Sequence, residues 1–265
     1  MTTKPPAVRT VRSADGTTIA YEPAGEGPPI ILVGGAFNDR TTARPLAAAL
    51  APHFTAYAYD RRGRGDSGDT LPYAVDREVD DLAALIEAAG GTAYVYGLSS
   101  GAILAARAAA RGLPIIGLAL FEPPFSVDGH AGTRPALAPA LAELVAADRR
   151  KEAVTLFMTT AVGLPDDAVT SLWHDPSWPF LEAAAHTLVY DTTITGDGAL
   201  PRDELAAITT PTVVVDSTAS PDWLRQATQH TAEAVPGARR VSLAGGFHEA
   251  SPADLAVELR RFLLG

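Results

Sequence analysis

Ala93-Tyr94-Val95-Tyr96-Gly97-Leu98-Ser99-Ser100-Gly101-Ala102 is the stretch that decides the fold. Its first four residues form a short apolar and aromatic run of strand type, and an alanine-rich run of helical composition, residues 102–111, follows at once. A strand that passes into a helix within five residues needs a sharp turn. Glycines at 97 and 101 remove the Cβ atoms that would clash in it. G-x-S-x-G in this context holds its serine in a strained conformation and pushes the hydroxyl above the sheet edge. Only Ser99 is centred between the two glycines, so Ser99 rather than Ser100 is the candidate nucleophile. The helix starting at the turn brings unpaired amides and a positive dipole end beside any oxyanion that forms, which makes the Ser100 amide a candidate donor.

Outward from this turn the chain alternates. Strand-like runs fall at 18–22, 29–33, 55–59, 93–96, 115–121, 212–215 and 239–243, with helical stretches at 41–50, 75–89, 102–111, 223–234 and 252–264. Alternation of this kind predicts an α/β fold, with a mostly parallel sheet covered by helices on both faces. Between about 125 and 200 the rhythm changes. No clear strand is present, and helical stretches are broken at Gly163-Leu164-Pro165 and Asp175-Pro176. The expected organisation is a core of residues 1–124 and 201–265 interrupted once by a helical cap, residues 125–200.

A serine nucleophile at such an elbow takes its partners in the chain order serine, acid, histidine. His248, in the loop Gly245-Gly246-Phe247-His248 before the closing helix, is the candidate general base. His53, His130, His174, His186 and His230 have no such frame, and surface or packing roles are expected for them. Gly63-Arg64-Gly65-Asp66-Ser67-Gly68 fits G-x-G-x-x-G, but it does not follow the first strand and no helix opens from it, so a dinucleotide site is not expected. The echo of trypsin-like proteases in Gly65-Asp66-Ser67-Gly68 is excluded by the βα alternation.

Taken together these features resemble the α/β-hydrolase fold superfamily from about Val8 to the end of the chain. The resemblance implies an eight-stranded sheet with the cap after the sixth strand. The run Ile30–Val33 followed by Gly34-Gly35-Ala36-Phe37 is similar to the family's oxyanion loop, with Gly34 where histidine is usual, and implies a second oxyanion amide at Ala36, with Phe37 the alternative. Tyr59-Asp60-Arg61-Arg62-Gly63-Arg64-Gly65-Asp66-Ser67 resembles a structural turn of the family and is given no catalytic role. The family's aspartate usually follows the seventh strand, where this chain reads Asp216-Ser217-Thr218-Ala219-Ser220-Pro221, so Ser220 occupies the expected position. Three carboxylates are substitutes. Asp216 ends a strand and is expected to face away. Glu122 stands at the end of the sixth strand before Pro123-Pro124, where some haloalkane dehalogenases of this fold place their acid. Asp222 lies two residues past the usual site. Glu122 is the expected acid, Asp222 the alternative, and absence of an acid the third reading.

The expected chemistry is acyl transfer to Ser99 from a small, largely apolar carboxylic ester, lactone or thioester, followed by hydrolysis. Phe37, Trp173 and Trp178 are the candidate substrate-binding residues, although aromatics at helical spacing are more often cap core; Phe157, Met158, Phe180 and Tyr190 carry the same two readings. Two other readings stay open: a non-hydrolytic enzyme on the same scaffold, such as a perhydrolase, lyase or cyclase, and a degenerate hydrolase that only binds a ligand. The expected partner is a small-molecule substrate, with no cofactor and no metal.

Composition fits these expectations. The 265 residues are 47% hydrophobic, enough for one sizeable core, and carry a formal charge of −10, which disfavours nucleic acid. No cysteine is present, so neither disulfides nor thiolate metal sites arise. The polar start with two prolines has no apolar signal-peptide core, and no run of about 18 apolar residues occurs later. A cytoplasmic protein without membrane association is expected.

Overall fold

A computed structural model of the chain describes residues 7–126 and 137–265. The strands are β1 (Arg9–Arg12), β2 (Thr18–Ala24), β3 (Pro29–Val33), β4 (Thr55–Tyr59), β5 (Ala93–Leu98), β6 (Ile115–Phe121), β7 (Thr212–Ser217) and β8 (Arg239–Leu243). They form a single sheet in the order β1-β2-β4-β3-β5-β6-β7-β8. β1 and β2, and β2 and β4, pair antiparallel, whereas every later pair is parallel. The sheet is therefore mixed, and mostly parallel as the alternation predicts.

Helices cover both faces, as parallel strands require. One face packs against α2 (Val75–Ala88) and α3 (Ser100–Ala110), where Leu82, Leu85, Ile103 and Leu104 meet Ile31, Val95, Leu118 and Val214. The other packs against α1 (Arg44–Leu50) and α11 (Pro252–Leu264), where Leu46, Leu50, Leu255 and Leu259 meet Ile30, Leu32, Ala119 and Val213. Ile30 and Leu32 thus face one way and Ile31 the other, the two-residue period of a strand buried on both sides. Nine of the eleven residues of α3 are buried, and its small alanines let it run close beneath the sheet.

The inserted segment is helical. It contains α4 (Leu137–Ala146), α5 (Arg150–Phe157) with a π-helical extension (Met158–Val162), α6 (Asp166–Leu172), α7 (Trp178–Ala183) and α8 (Leu188–Thr195). Leu141, Val154, Phe157, Val169, Trp178 and Leu188 form a third apolar cluster, on which Ala36 and Phe37 also pack. The chain then re-enters the α/β layers through α9 (Arg202–Ala206), β7, α10 (Asp222–Ala234), β8 and α11. His130, for which a surface or packing role is expected, lies outside the described residues.

Two departures from the sequence reading matter. β1 is an added edge strand that the strand pattern does not mark, because Arg9, Thr10 and Arg12 are exposed and leave no apolar alternation to read. β7 runs to Ser217 rather than stopping at 215, which places Asp216 inside the strand. Residues 63–68 lie in the turn after β4, and α2 begins only at Val75. The charges of that turn are used internally: buried Arg62 pairs with Asp81 at 2.7 Å and Asp15 at 3.0 Å. Among the described residues no helix is long and apolar enough to cross a membrane.

Candidate active site

β5 ends at Leu98, and Ser99 adopts φ 55° and ψ −123° before α3 begins. The turn is tight enough to require its glycines. A Cβ on Gly97 would lie 2.5 Å from the Gly101 carbonyl oxygen, and one on Gly101 would lie 2.4 Å from the Val33 oxygen. The Ser99 amide donates to the Phe121 carbonyl at 2.9 Å, tying the elbow to β6. Five non-glycine described residues have positive φ, and four of them, Phe37, Ser99, Glu122 and His248, belong to this region. Such strain persists only where the surroundings hold it, and its concentration here makes this region the candidate site.

Glu122 leaves β6 fully buried. Its Oε1 accepts from the Ser217 amide at 2.9 Å and from the Ser220 hydroxyl. Its Oε2 accepts from the His248 amide at 2.8 Å and lies 2.8 Å from His248 Nδ1. The Nδ1 contact is close but not aligned as a hydrogen bond, a looseness common in unliganded sites. Burial alone would raise the Glu122 pKa, but the bonds from His248, Ser220 and Ser217, with the charge of His248, outweigh it and hold the carboxyl below its ordinary range.

Ser220 therefore stands where the aspartate was expected and bonds Glu122, the carboxylate beside His248. The other two carboxylates are elsewhere. Asp216, fully buried, is held by Arg240 at 2.6 Å, Arg225 at 3.1 Å and Ser242 at 2.5 Å. Asp222, the alternative acid, is exposed in the first turn of α10, where it complements the helix dipole.

Ser99 and His248 line one cavity of about 360 Å³ together with Gly35, Ala36, Phe37 and Ser100. Among the described residues the amides of Ala36 and Ser100 have no acceptor, Ala36 because it is the second residue of the turn that the Asn38 amide closes on the Gly35 carbonyl and Ser100 because it is the first residue of its helix. Both are free to donate to a bound oxyanion. Gly34, where the family has histidine, has no room for a side chain, since its Cβ would lie 2.8 Å from that of Asn38. Asn38 Oδ1 instead accepts from the Gly35 amide at 2.9 Å.

The substrate-binding expectation divides. Phe37 lines the cavity and packs edge-on against Phe157, with centroids 5.6 Å apart, and Phe157 lines it too. Trp173 and Trp178 do not line it, which corrects that reading. They pack against each other at 6.4 Å, Trp178 bonded to Glu182 at 2.7 Å and Trp173 to Thr155 at 3.3 Å with Lys151 over its ring. The physical reason is that the inserted segment has a core of its own to fill, and the two tryptophans help fill it, whereas Phe180 is exposed. Tyr190 is likewise spent elsewhere, stacking on Tyr73 and donating to Asp69 at 2.6 Å. The cavity also includes Asp191, Trp223 and Phe247, which sequence reasoning missed. Trp223 and Phe247 flank expected site positions, a signal that could have found them; Asp191 has none. His186 Nε2 donates to the Gly63 carbonyl, 2.9 Å away, and His230 contacts Glu233 at 3.1 Å, both apart from the cavity. No group of three metal-ligating side chains occurs among the described residues.

An elbow serine, a histidine beside a buried carboxylate and two unpaired amides thus meet at one cavity. Residues 30–258 match the model of the alpha/beta hydrolase family, and the chain belongs to that family. It is similar to an alpha/beta hydrolase from Sphaerobacter thermophilus of known crystal structure, with 52% identity, a TM-score of 0.90, and coverage of 96% of this chain and 99% of that one. The enol-lactonase from Burkholderia xenovorans shares the fold at 24% identity and a TM-score of 0.69, covering 97% of this chain and all of that one. An uncharacterized hydrolase of Bacillus subtilis, YraK, is 37% identical over 93 residues, 34% of each chain. The match thus spans about a third of the length of such curated relatives.

Proposed function

We propose that the protein is a serine hydrolase that cleaves a small, largely apolar carboxylic ester, lactone or thioester through an acyl-enzyme. Ser99 Oγ attacks the carbonyl carbon while His248 takes its proton, and the amides of Ala36 and Ser100 hold the oxyanion. His248 returns the proton to the leaving group. Water, activated by the same ring, then releases the acid, while Glu122 keeps Nδ1 protonated and balances the charge of the imidazolium.

The observation that carries this reading is the 2.8 Å approach of Glu122 to His248 on the rim of the cavity that Ser99 also lines. Cavity size and lining support the substrate class. About 360 Å³ lies near the lower end for small-molecule sites, and Pro124, Leu137, Phe157, Val162 and Phe247 offer an acyl group apolar contact. Residues 125–200 act as the cap over a core made of 1–124 and 201–265, because α8 and the π-helical extension of α5 contribute to the lining. That esterases and an enol-lactonase share the fold agrees with this class.

Ser99→Ala tests the mechanism. The wild type is expected to label with a fluorophosphonate and to hydrolyse short p-nitrophenyl esters, and the variant to do neither while melting at the wild-type temperature. Full turnover in the variant rejects the serine mechanism, and tight binding of esters by an unlabelled, inactive wild type identifies a binding protein instead.

A further inference from the structure

The turn at residues 59–67 carries two arginines, Arg61 and Arg64, whose side chains run under the candidate oxyanion loop. Arg64 Nη1 donates to the Gly35 carbonyl and, at 3.2 Å, to the Asn38 carbonyl. Arg61 Nη1 reaches the Gly34 carbonyl at 3.3 Å. A trans peptide unit is planar, with its C=O and N–H pointing in opposite directions. The Gly35 carbonyl and the Ala36 amide belong to one such unit. A cation that grips the carbonyl from below therefore turns the Ala36 N–H the other way, toward the cavity.

Arg64 is itself anchored. It is 5% exposed, and its Nη2 lies 2.7 Å from Asp191 Oδ2. Asp191, on α8 and 1% exposed, accepts through Oδ1 from Arg61 Nη1 and from the Ser100 hydroxyl, both at 2.7 Å. The outer edge of Arg61 is saturated by Glu78, with two contacts of 2.7 Å. Two guanidinium groups thus balance two carboxylates out of water, each charge paired, as burial demands. One carboxylate from the inserted segment reaches both residues that carry the oxyanion amides, Ala36 through Arg64 and Ser100 through its own hydroxyl. Arg64 Nε is buried without a hydrogen-bond partner among the described residues. Leaving a buried donor unmet is a cost that the fold accepts where the rest of the fork has a task.

We infer that Arg64, anchored by Asp191, is a positioning residue that aims the Ala36 amide at the transition-state oxygen, and that the Ser100–Asp191 bond fixes the other amide against the same anchor. This rests on the serine-hydrolase reading above. It gives the turn at 59–67 a part in the reaction beyond its structural one, acting through the peptide plane rather than by contact with substrate.

Arg64→Lys keeps the charge but loses the planar fork, so it cannot hold Gly35, Asn38 and Asp191 at once. Ser100→Ala removes a single buried hydroxyl and leaves the amide in place. With a p-nitrophenyl ester, Arg64→Lys is expected to lower kcat about 10- to 100-fold with KM within about threefold, less than the ~10²–10³ for outright loss of an oxyanion donor. Ser100→Ala is expected to lower kcat roughly three- to tenfold. A trifluoromethyl ketone, whose hydrate-like adduct with serine carries the oxyanion, should bind more weakly by the same factor as kcat/KM falls, while the product carboxylic acid binds as to the wild type. A structural role alone would not make ketone affinity track kcat/KM. Unchanged kcat and ketone affinity in a folded Arg64→Lys, or equal weakening of ketone and product acid, overturns the inference; if that variant does not fold, the same readings on Ser100→Ala decide. A wild type that neither labels with fluorophosphonate nor turns over ester fails the serine-hydrolase reading instead, so the two failures are distinct.

Discussion

Replacing Glu122 by glutamine keeps the shape of the side chain and removes its charge, and the surrounding donors set the cost. Both ends of the carboxylate face backbone donors, Ser217 N on Oε1 and His248 N on Oε2. Whichever way the amide turns, its NH2 meets an N–H. The less costly orientation puts NH2 toward Ser217, because the Ser220 hydroxyl can rotate to accept from it and still face the Gly246 carbonyl, 2.9 Å away. The Ser217 amide then loses its acceptor, at a cost of about 1–3 kcal/mol. For a chain of this length that lowers the melting temperature by roughly 2–10 °C. The amide oxygen can still orient the imidazole, but the negative charge that balances the imidazolium is gone. Loss of a triad carboxylate's charge costs about 10³–10⁴ in turnover, and at 1.36 kcal/mol per tenfold that is about 4–5.5 kcal/mol of barrier. The assay is steady-state hydrolysis of a p-nitrophenyl ester alongside a thermal melt. Asp222→Asn is the control, expected within about twofold of wild type because Asp222 is exposed away from the histidine. A Glu122→Gln enzyme within tenfold of wild-type kcat, with Asp222→Asn strongly impaired, would refute the assignment of the acid.

Because Ser220 already touches Glu122, the charge should be transferable: Glu122→Ala combined with Ser220→Asp is expected to recover roughly ten- to hundredfold of the turnover lost in Glu122→Ala alone, and no recovery would mean that position 220 cannot reach the ring. Trp178→Ala should lower stability by about 3–5 kcal/mol, read by urea unfolding, with KM within about threefold, because the ring fills a core; Trp223→Ala, on the cavity wall, should instead change KM. Asp191 is also held below the ordinary carboxylate range, since the charges of Arg64 and Arg61 and the Ser100 hydroxyl outweigh the upward push of burial. Groups depressed in the folded state, Asp191 and Glu122 alike, stabilise it fully above the unfolded carboxylate pKa, about 4, and lose that contribution as pH falls through their folded values. Thermal melts should therefore be flat for these groups above about pH 5 and fall steeply below it, and a wild-type melting temperature unchanged down to pH 3 would contradict the pairing.

The residue order determined what is local. A strand, a tight turn and a helix within ten residues specify the elbow and Ser99, because only glycine fits the positions where a Cβ would meet backbone. His248 and Ala36 were legible for a related reason, each lying in a loop bounded by a readable strand. Glu122 was legible as a place, the end of β6, but not as a partner. Only tertiary structure brought it to His248, 126 residues away, and set Ser220 beside it. The inserted segment was harder to read. Helical spacing cannot separate an aromatic that fills the segment's own core from one that lines a cavity, so only the structure put Trp173 and Trp178 in that core and Phe157 on the wall. Asp191 had no signature at all, because its partners Ser100, Arg64 and Arg61 lie 91, 127 and 130 residues off. Turns and periodicities are properties of neighbouring residues, whereas pairing of buried charges depends on which remote segments the packed layers bring face to face.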